Sequence, residues 1–159
     1  MAIRNWRYLG LTVAIWIHVA EELPRFPDWA SRHFGGTFST RFFIVSHATT
    51  LLPAITAAGL MPARNPRSEL GNWLATSTAA GMLANAIFHA ATTLRWREYS
   101  PGVISAVTLI GPTATQTLML TKEAGIKGKR RGASNRRQLR ILRQYRRHGA
   151  PRLSHSGDS

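Results

Sequence analysis

A histidine and two glutamates close the first apolar run of the chain. His18, Glu21 and Glu22 lie in the segment HVAEE, and residues four apart share one face of a helix. His18 therefore shares a face with Glu22 and, less closely, with Glu21. The chain has no cysteine, so a metal site here would use imidazole and carboxylate, the usual ligands of zinc, iron or manganese when thiolates are missing. The spacing predicts part of a metal site or an acid–base pair.

Four apolar stretches must position these side chains. A bilayer crossing needs about 20 residues, and the stretches near residues 6–23, 42–61, 70–94 and 103–121 satisfy that length. Pro53 and Pro112 lie inside the second and fourth stretches, where neighbouring helices in lipid can satisfy the freed carbonyls. We predict an all-α fold: a polytopic membrane protein whose residues 1–121 form a bundle of four transmembrane helices.

The remaining residues, 122–159, form a strongly basic tail. They hold twelve of the 21 lysines and arginines, and such segments normally stay in the cytoplasm. Both termini are therefore predicted to be cytoplasmic, in a plasma or inner membrane. We expect a partly disordered tail with a short basic helix from about Asn135 to Arg147, bound to anionic lipid headgroups. Nucleic-acid binding is the less favoured alternative.

This topology places several polar side chains at one depth below the outer face. At a rise of 1.5 Å per residue, His18 lies about 6 Å, His89 about 8 Å and His47 about 9 Å into their spans. Asn85 lies one turn below His89 on the same helix face. Ionisable groups are costly in a membrane and normally face the bundle interior. We expect the three histidines to share one layer, with Glu21 and Glu22 just above it.

Three short motifs occur in order along this body: HVAEE, NAIFH and YSPG. In combination the chain resembles the HXXEE family, small integral membrane proteins of unknown function that are suspected to be enzymes. The resemblance covers the body and leaves the tail outside. It implies site roles for His18, Glu21, Glu22, His89, Tyr99, Pro101 and Gly102, whereas His47 is added from its depth alone.

The favoured hypothesis is a metal-dependent membrane enzyme that acts on a lipid or another amphiphile. His18, His89 and either Glu22 or His47 would be the ligands of a divalent ion, with the remaining glutamate as general base and Tyr99 as proton donor. Metal-free acid–base catalysis by the same residues stays open. The motif lacks the second histidine of HExxH, so the mechanism of those zinc proteases does not transfer.

Two non-enzymatic hypotheses use the same polar residues. Chains of histidine and glutamate inside a membrane can conduct protons or ions. Alternatively, the histidines and Asn85 only bond across helices to fix their packing. The YSPG segment has a structural alternative as well, in which Tyr99 anchors at the interface while Pro101 and Gly102 make a turn.

The outer segment between the first two spans, residues 24–41, is rich in aromatic residues around Gly35 and Gly36. Such a segment can lie in the membrane interface and cover a site, or it can form an ordinary surface loop. His33, in the middle of it, is expected to be exposed.

Overall fold

Every regular element in the described part of the chain is a helix. The structure, a computed structural model, describes residues 3 and 5–125. A 3-10 turn at Trp6–Tyr8 leads into the first of five helices, which are α1 (Leu9–Glu22), α2 (Phe26–Phe34), α3 (Thr40–Arg64), α4 (Glu69–Trp96) and α5 (Val103–Gly125). The all-α prediction is confirmed. The predicted basic helix near Asn135–Arg147 lies outside the described residues, so it stays a prediction.

Side-chain caps and one glycine fix the ends of the helices that carry the site. Ser68 accepts a hydrogen bond from the Gly71 amide and so satisfies one of the free donors in the first turn of α4. The same helix ends where Arg97 takes a left-handed conformation with φ 53°. Gly102 precedes α5 with φ 97°, a conformation that residues with a Cβ rarely adopt. The loop between α4 and α5 is therefore tightly determined.

Two helices contain a widened, π-helical turn. In α3 the turn covers His47–Leu51, and in α5 it covers Ala106–Ile110. Each turn lies just before a proline, Pro53 or Pro112, whose ring removes a backbone donor and displaces the carbonyl four residues earlier. A π turn takes up this mismatch without ending the helix, and such turns are frequent at functional sites.

Small residues let the helices approach one another closely. A Cβ added at Gly59 of α3 would overlap the hydroxyl oxygen of Thr12 on α1. On α4, Ala75 and Ala79 are buried to 3% and 0% exposure. Close backbone approach through glycine and alanine is typical of helices packed in lipid. The main apolar core comprises Leu11, Ala14, Ile15, Val19, Ile55, Ala79, Ala86, Ala106, Ile110 and Ala114.

Large apolar side chains also cover the outside of the helices. Phe42, Trp73, Ile87 and Leu94 are each exposed by 65% or more. Among the described helices, α3 and α5 are long and apolar enough to cross a membrane. α1 is short, with 14 residues, and α4 has 28 residues but many of them are polar. Two of the predicted spans are thus supported by length and composition, and the set of four stays a prediction.

The outer segment contains a helix, α2, which the sequence did not predict. Pro27 lies in its first turn, where its missing N–H costs nothing, and Asp28 there complements the helix dipole. Trp29 and Ala30 are buried to 2% and 1% exposure. The helix ends at Gly35, whose positive φ of 74° stops it. α2 therefore packs through one face against the rest of the body.

Candidate functional site

Three buried side chains from two helices place one ligand atom each within 4.8 Å of one another. α1 supplies His18 and Glu22, one turn apart, and α4 supplies His89. The Glu22 Oε1 atom lies 3.5 Å from Nε2 of His18 and 3.2 Å from Nε2 of His89. The three residues are exposed by only 1%, 6% and 0%. We call this cluster of His18, Glu22 and His89 the triad.

A serine on α5 fixes the orientation of His18. The Ser105 hydroxyl donates to the Gly102 carbonyl at 3.2 Å, and the same oxygen lies 2.9 Å from Nδ1 of His18. Because the hydroxyl has a single proton and the carbonyl can only accept, the Nδ1–H of His18 must be the donor to Ser105. In the neutral ring Nε2 is then unprotonated, and its lone pair accepts a hydrogen bond from the Asn85 amide at 2.8 Å.

His89 is held in a corresponding way. Its Nδ1 lies 2.9 Å from the hydroxyl oxygen of Ser100, in the loop before α5. Its Nε2 is buried and has no hydrogen-bond partner among the described residues, although a Glu22 oxygen lies only 3.2 Å away. The two atoms are close, but they are not aligned for a hydrogen bond. A buried polar atom without a partner calls for an explanation, and an unseen ion is one of the usual ones.

Gly102 brings the backbone directly against the triad. A Cβ at this position would lie 2.7 Å from Cε1 of His18, 2.9 Å from Cγ of Glu22 and 3.1 Å from Cε1 of His89. Even the smallest side chain would push the triad apart. Only glycine satisfies both this space and the positive φ.

Two of the three separations in the triad suit a single tetrahedral ion. Nitrogen and oxygen ligands lie about 2.0–2.2 Å from zinc, which places the ligand atoms about 3.3–3.5 Å from one another. The separations from Glu22 Oε1 to the two imidazoles, 3.5 and 3.2 Å, are close to this value, and all three ligand atoms lie within 4.8 Å of one another. Each imidazole also has its second nitrogen held by a serine, and such outer partners are usual for histidines that bind metal.

One comparison with known proteins decides the family. A family model described as "Protein of unknown function with HXXEE motif" matches residues 9–117. The chain belongs to this family. No curated protein and no solved structure matches it.

The two glutamates of the HXXEE motif have different partners. Glu22 points into the triad, whereas Glu21 accepts hydrogen bonds from the Ile104 and Ser105 amides at the start of α5, at 3.2 and 2.8 Å. A carboxylate at the first turn of a helix satisfies free N–H groups and complements the helix dipole. Glu21 therefore joins α1 to α5 and is not part of the triad.

Tyr99 completes the surroundings of Glu21. Its hydroxyl donates to the Glu21 carboxylate at 2.5 Å, while the residue remains 41% exposed. Partial burial, and then the contact with Glu21, raise the pKa of the Tyr99 hydroxyl. Of the residues that the HXXEE resemblance implies, the structure thus brings His18, Glu22, His89 and Gly102 together and places Glu21 and Tyr99 beside them. Pro101 is buried in the same loop.

Asn85 and His47 have different relations to the triad of this HXXEE protein. The Asn85 amide donates to Nε2 of His18 at 2.8 Å, so Asn85 contacts the triad directly. The Nδ1–H of His47 donates to the Phe43 carbonyl at 2.7 Å, and His47 is not one of the three clustered ligands. His47 nevertheless lines the same cavity as His18, Glu22 and Asn85.

That cavity has a volume of about 630 Å³ and is bounded by α1, α2, α3 and α4. The triad contributes His18 and Glu22 to its wall. Aromatic side chains such as Phe26, Phe42 and Phe43 make up much of the rest. The site is therefore buried on the protein side and open toward a large, mainly apolar space.

A second histidine–glutamate contact joins α2 to the end of α4. His33 donates to Glu98 at 2.9 Å, Arg32 donates to the same carboxylate at 3.0 Å, and the His33 ring stacks on Trp96. The hydrogen bond from His33 is the main reason that the pKa of Glu98 is lowered. The expectation that His33 is simply exposed was wrong, because its side chain is only 16% exposed.

Sequence reasoning missed the two serines that hold the triad histidines. Ser100 lies inside the YSPG motif. Ser105 lies three residues beyond the motif, one turn into α5. The only available signal was their closeness to Gly102, and nothing in their type distinguishes them from the other serines of the chain.

Proposed function

We propose that this HXXEE protein is an integral membrane enzyme that binds one divalent metal ion through His18, Glu22 and His89. The observation that carries this proposal is the triad itself. Three buried ligand atoms lie within 4.8 Å of one another, the two carboxylate–imidazole separations suit one ion, and His89 Nε2 has no hydrogen-bond partner among the described residues. Without a cation, a buried carboxylate between two imidazoles would have to be stabilised by hydrogen bonds.

The number of ligands favours catalysis over a purely structural ion. Structural zinc sites usually have four protein ligands, whereas catalytic sites use about three and keep one position open. Two histidines with one carboxylate also suit iron, so the donor set leaves zinc, iron and manganese as candidates. When bound, such an ion would supply Lewis acidity to a substrate oxygen or to water.

The surrounding residues then have distinct roles. If His18 Nε2 served as a ligand, Asn85 would give up its hydrogen bond to that nitrogen, and its amide would be free to bind a polar group in the cavity. Ser100 and Ser105 hold the imidazoles in position. Glu21 and Tyr99 act as positioning residues, because the Glu21 carboxylate already accepts three hydrogen bonds.

We further propose that α1, α3, α4 and α5 cross the membrane and leave both termini in the cytoplasm. Two observations support this arrangement: α3 and α5 have the length and hydropathy of spans, and large apolar side chains are exposed on the outside of the helices. The turn at Trp6–Tyr8 and α1 together reach the lower end of the range of about 17–25 residues for a span. The basic tail would then lie against anionic headgroups of the inner leaflet.

Metal analysis of purified protein tests the central proposal. The full chain is purified in detergent without chelator, and zinc, iron and manganese are measured by inductively coupled plasma mass spectrometry. We expect close to one ion per chain in the wild type and a loss of that ion in His89→Gln. His47→Gln is the matched control, because it alters a histidine of the same cavity that lies outside the triad.

Two results would contradict the proposal. One is a folded wild type, monodisperse in gel filtration, that contains no metal after incubation with each of the three ions. The other is equal metal content in His89→Gln and His47→Gln. Either result would leave a proton path or a packing role for the polar cluster.

A further inference from the structure

We infer that the cavity beside the triad binds the hydrocarbon chain of a single acyl lipid, with an uncharged polar group of that lipid at the triad. This inference rests on the proposed function, since it names the substrate class of the same site. The cavity volume of about 630 Å³ lies within the range of about 300–1,000 Å³ for ligand pockets.

The cavity lining combines polar groups with a larger apolar part. His18, Glu22 and Asn85 provide polar groups at the triad. Further polar residues of the wall are Thr37, Ser39, Ser46 and His47. Phe43, Leu51 and Met82 are among the apolar side chains that line the cavity. A ligand that fills this space therefore needs a hydrocarbon portion together with a polar group.

The charge of the wall limits which polar group is accepted. Among the described residues that line the cavity there is no lysine or arginine, and Glu22 is the one acidic residue. Phosphates and carboxylates are normally bound by arginine or lysine side chains, whereas the N-termini of α2 and α3, which also line this cavity, carry only partial positive charges. The wall thus favours a neutral ester, amide, aldehyde or alcohol at the triad over an anionic group.

The rim of the cavity lies where a lipid could enter from the side. Phe38 and Phe42 line it while remaining 49% and 73% exposed. Phe42 lies in the first turn of α3, a helix with the length and hydropathy of a membrane span, and Phe38 lies two residues before that helix. Exposed aromatic side chains at a cavity rim are costly in water and well placed in a bilayer. The hydrocarbon phase is therefore the natural source of the ligand.

The π turn of α3 helps to form the cavity wall. His47 and Leu51, the first and last residues of that turn, both line the cavity. The widened turn moves these side chains away from the positions that a regular helix would give them. Pro53 therefore influences the shape of the cavity, because the π turn that lines the cavity lies just before this proline.

Photolabelling tests the inference on the full chain. The probe is palmitic acid methyl ester with a diazirine at the far end of its chain, and the labelled residues are identified by peptide mass spectrometry. We expect labels on cavity residues such as Phe43 and Ile15, of which Ile15 is only 1% exposed, and their loss in Met82→Trp, which fills the cavity. Met119→Trp is the matched control, since Met119 is 61% exposed on the outside of α5.

If Met82→Trp fails to accumulate, Ser46→Phe narrows the same cavity from a half-buried position on α3. Labels restricted to outward-facing residues, and equal in all variants, would overturn the inference. Metal content is measured on the same samples. A metal-bound protein without cavity labels would refute the lipid site alone, whereas cavity labels on a protein that never binds metal would refute the proposed metal centre.

Discussion

The chain brings histidine and glutamate together at two places, and the two places differ in what surrounds them. At the surface, Glu98 is 43% exposed and receives directed hydrogen bonds from His33 and Arg32. In the interior, Glu22 lies between His18 and His89 at similar distances, but within the described part of the chain His89 Nε2 has no aligned hydrogen bond and no lysine or arginine lines the adjoining cavity. The surface carboxylate is paired with the Arg32 guanidinium, whereas the described partners of the buried one are two imidazoles.

The largest expected effect comes from the same substitution made at both places. Glu22→Gln removes a ligand charge and should weaken metal binding by more than about 100-fold, the upper end of the loss seen when only an outer partner of a metal site is removed. Glu98→Gln should leave metal binding unchanged. Competition with a chelator of known affinity measures both. Equal metal affinities in Glu22→Gln and Glu98→Gln would contradict the idea that only the buried histidine–glutamate contact binds a metal ion.

Gly102→Ala should have the next largest effect. The added Cβ would lie within 3.1 Å of all three triad side chains, and a positive φ is strained for alanine, by about 1–3 kcal/mol. We expect a lower unfolding temperature. We also expect a loss of metal affinity at least as large as the loss caused by removing a hydrogen-bond partner of a metal ligand. Gly36→Ala is the control, because Gly36 has a similar φ of 81° but no atom within 4 Å of an added Cβ. If Gly36→Ala lowers metal affinity equally, contact with the triad is not the cause.

Ser105→Ala should reduce metal affinity by about 10–100-fold without removing a ligand. The hydroxyl holds the His18 ring through Nδ1, so its loss frees the ring to turn. Thr108→Ala, one turn further along α5, is the control because its hydroxyl bonds only to the backbone of its own helix. Chelator competition and the unfolding temperature are measured together. A fall in stability without a fall in affinity would show that Ser105 only supports packing.

The smallest effect is expected at the surface contact, and it depends on pH. Because hydrogen bonding lowers the pKa of Glu98 in the folded protein, this carboxylate stabilises the fold above its ordinary pKa of about 4.3, and the contribution is lost as pH falls through the lowered folded value. Glu98→Gln should therefore lower the unfolding temperature slightly near neutral pH, and the difference in unfolding temperature between variant and wild type should become smaller in acid. Thermal unfolding of both proteins from neutral to acidic pH measures this difference. A difference that is constant with pH would contradict a stabilising role for the ionised Glu98 carboxylate.

Part of the site could be predicted from the sequence because helical periodicity is local. The spacing of His18 and Glu22 placed them on one face of a helix, and the predicted depth placed His89 beside them. The structure brings these three side chains together. The all-α fold followed from the same kind of evidence, namely long apolar runs without strand patterns.

The remainder depends on how helices that are distant in sequence meet. Glu21 and Glu22 are neighbours of the same type, and only the position of α5 makes one a cap and the other a member of the triad. Equal depth was not sufficient for His47, which bonds to its own helix instead of reaching the cluster. Short aromatic helices such as α2 are also hard to predict, because the proline and glycines that bound it are typical of loops too.

The hydrogen bond between His18 and Ser105 spans 87 residues of chain, and this separation has a consequence for biosynthesis. At synthesis rates of about 5–20 residues per second, His18 and Glu22 leave the ribosome roughly 4–17 s before Ser105 does. During that interval the nascent first helix carries its histidine and carboxylates without the residues that later orient them. The centre is therefore completed only at the end of translation of the body, and chains truncated before the last helix would lack an ordered ligand set.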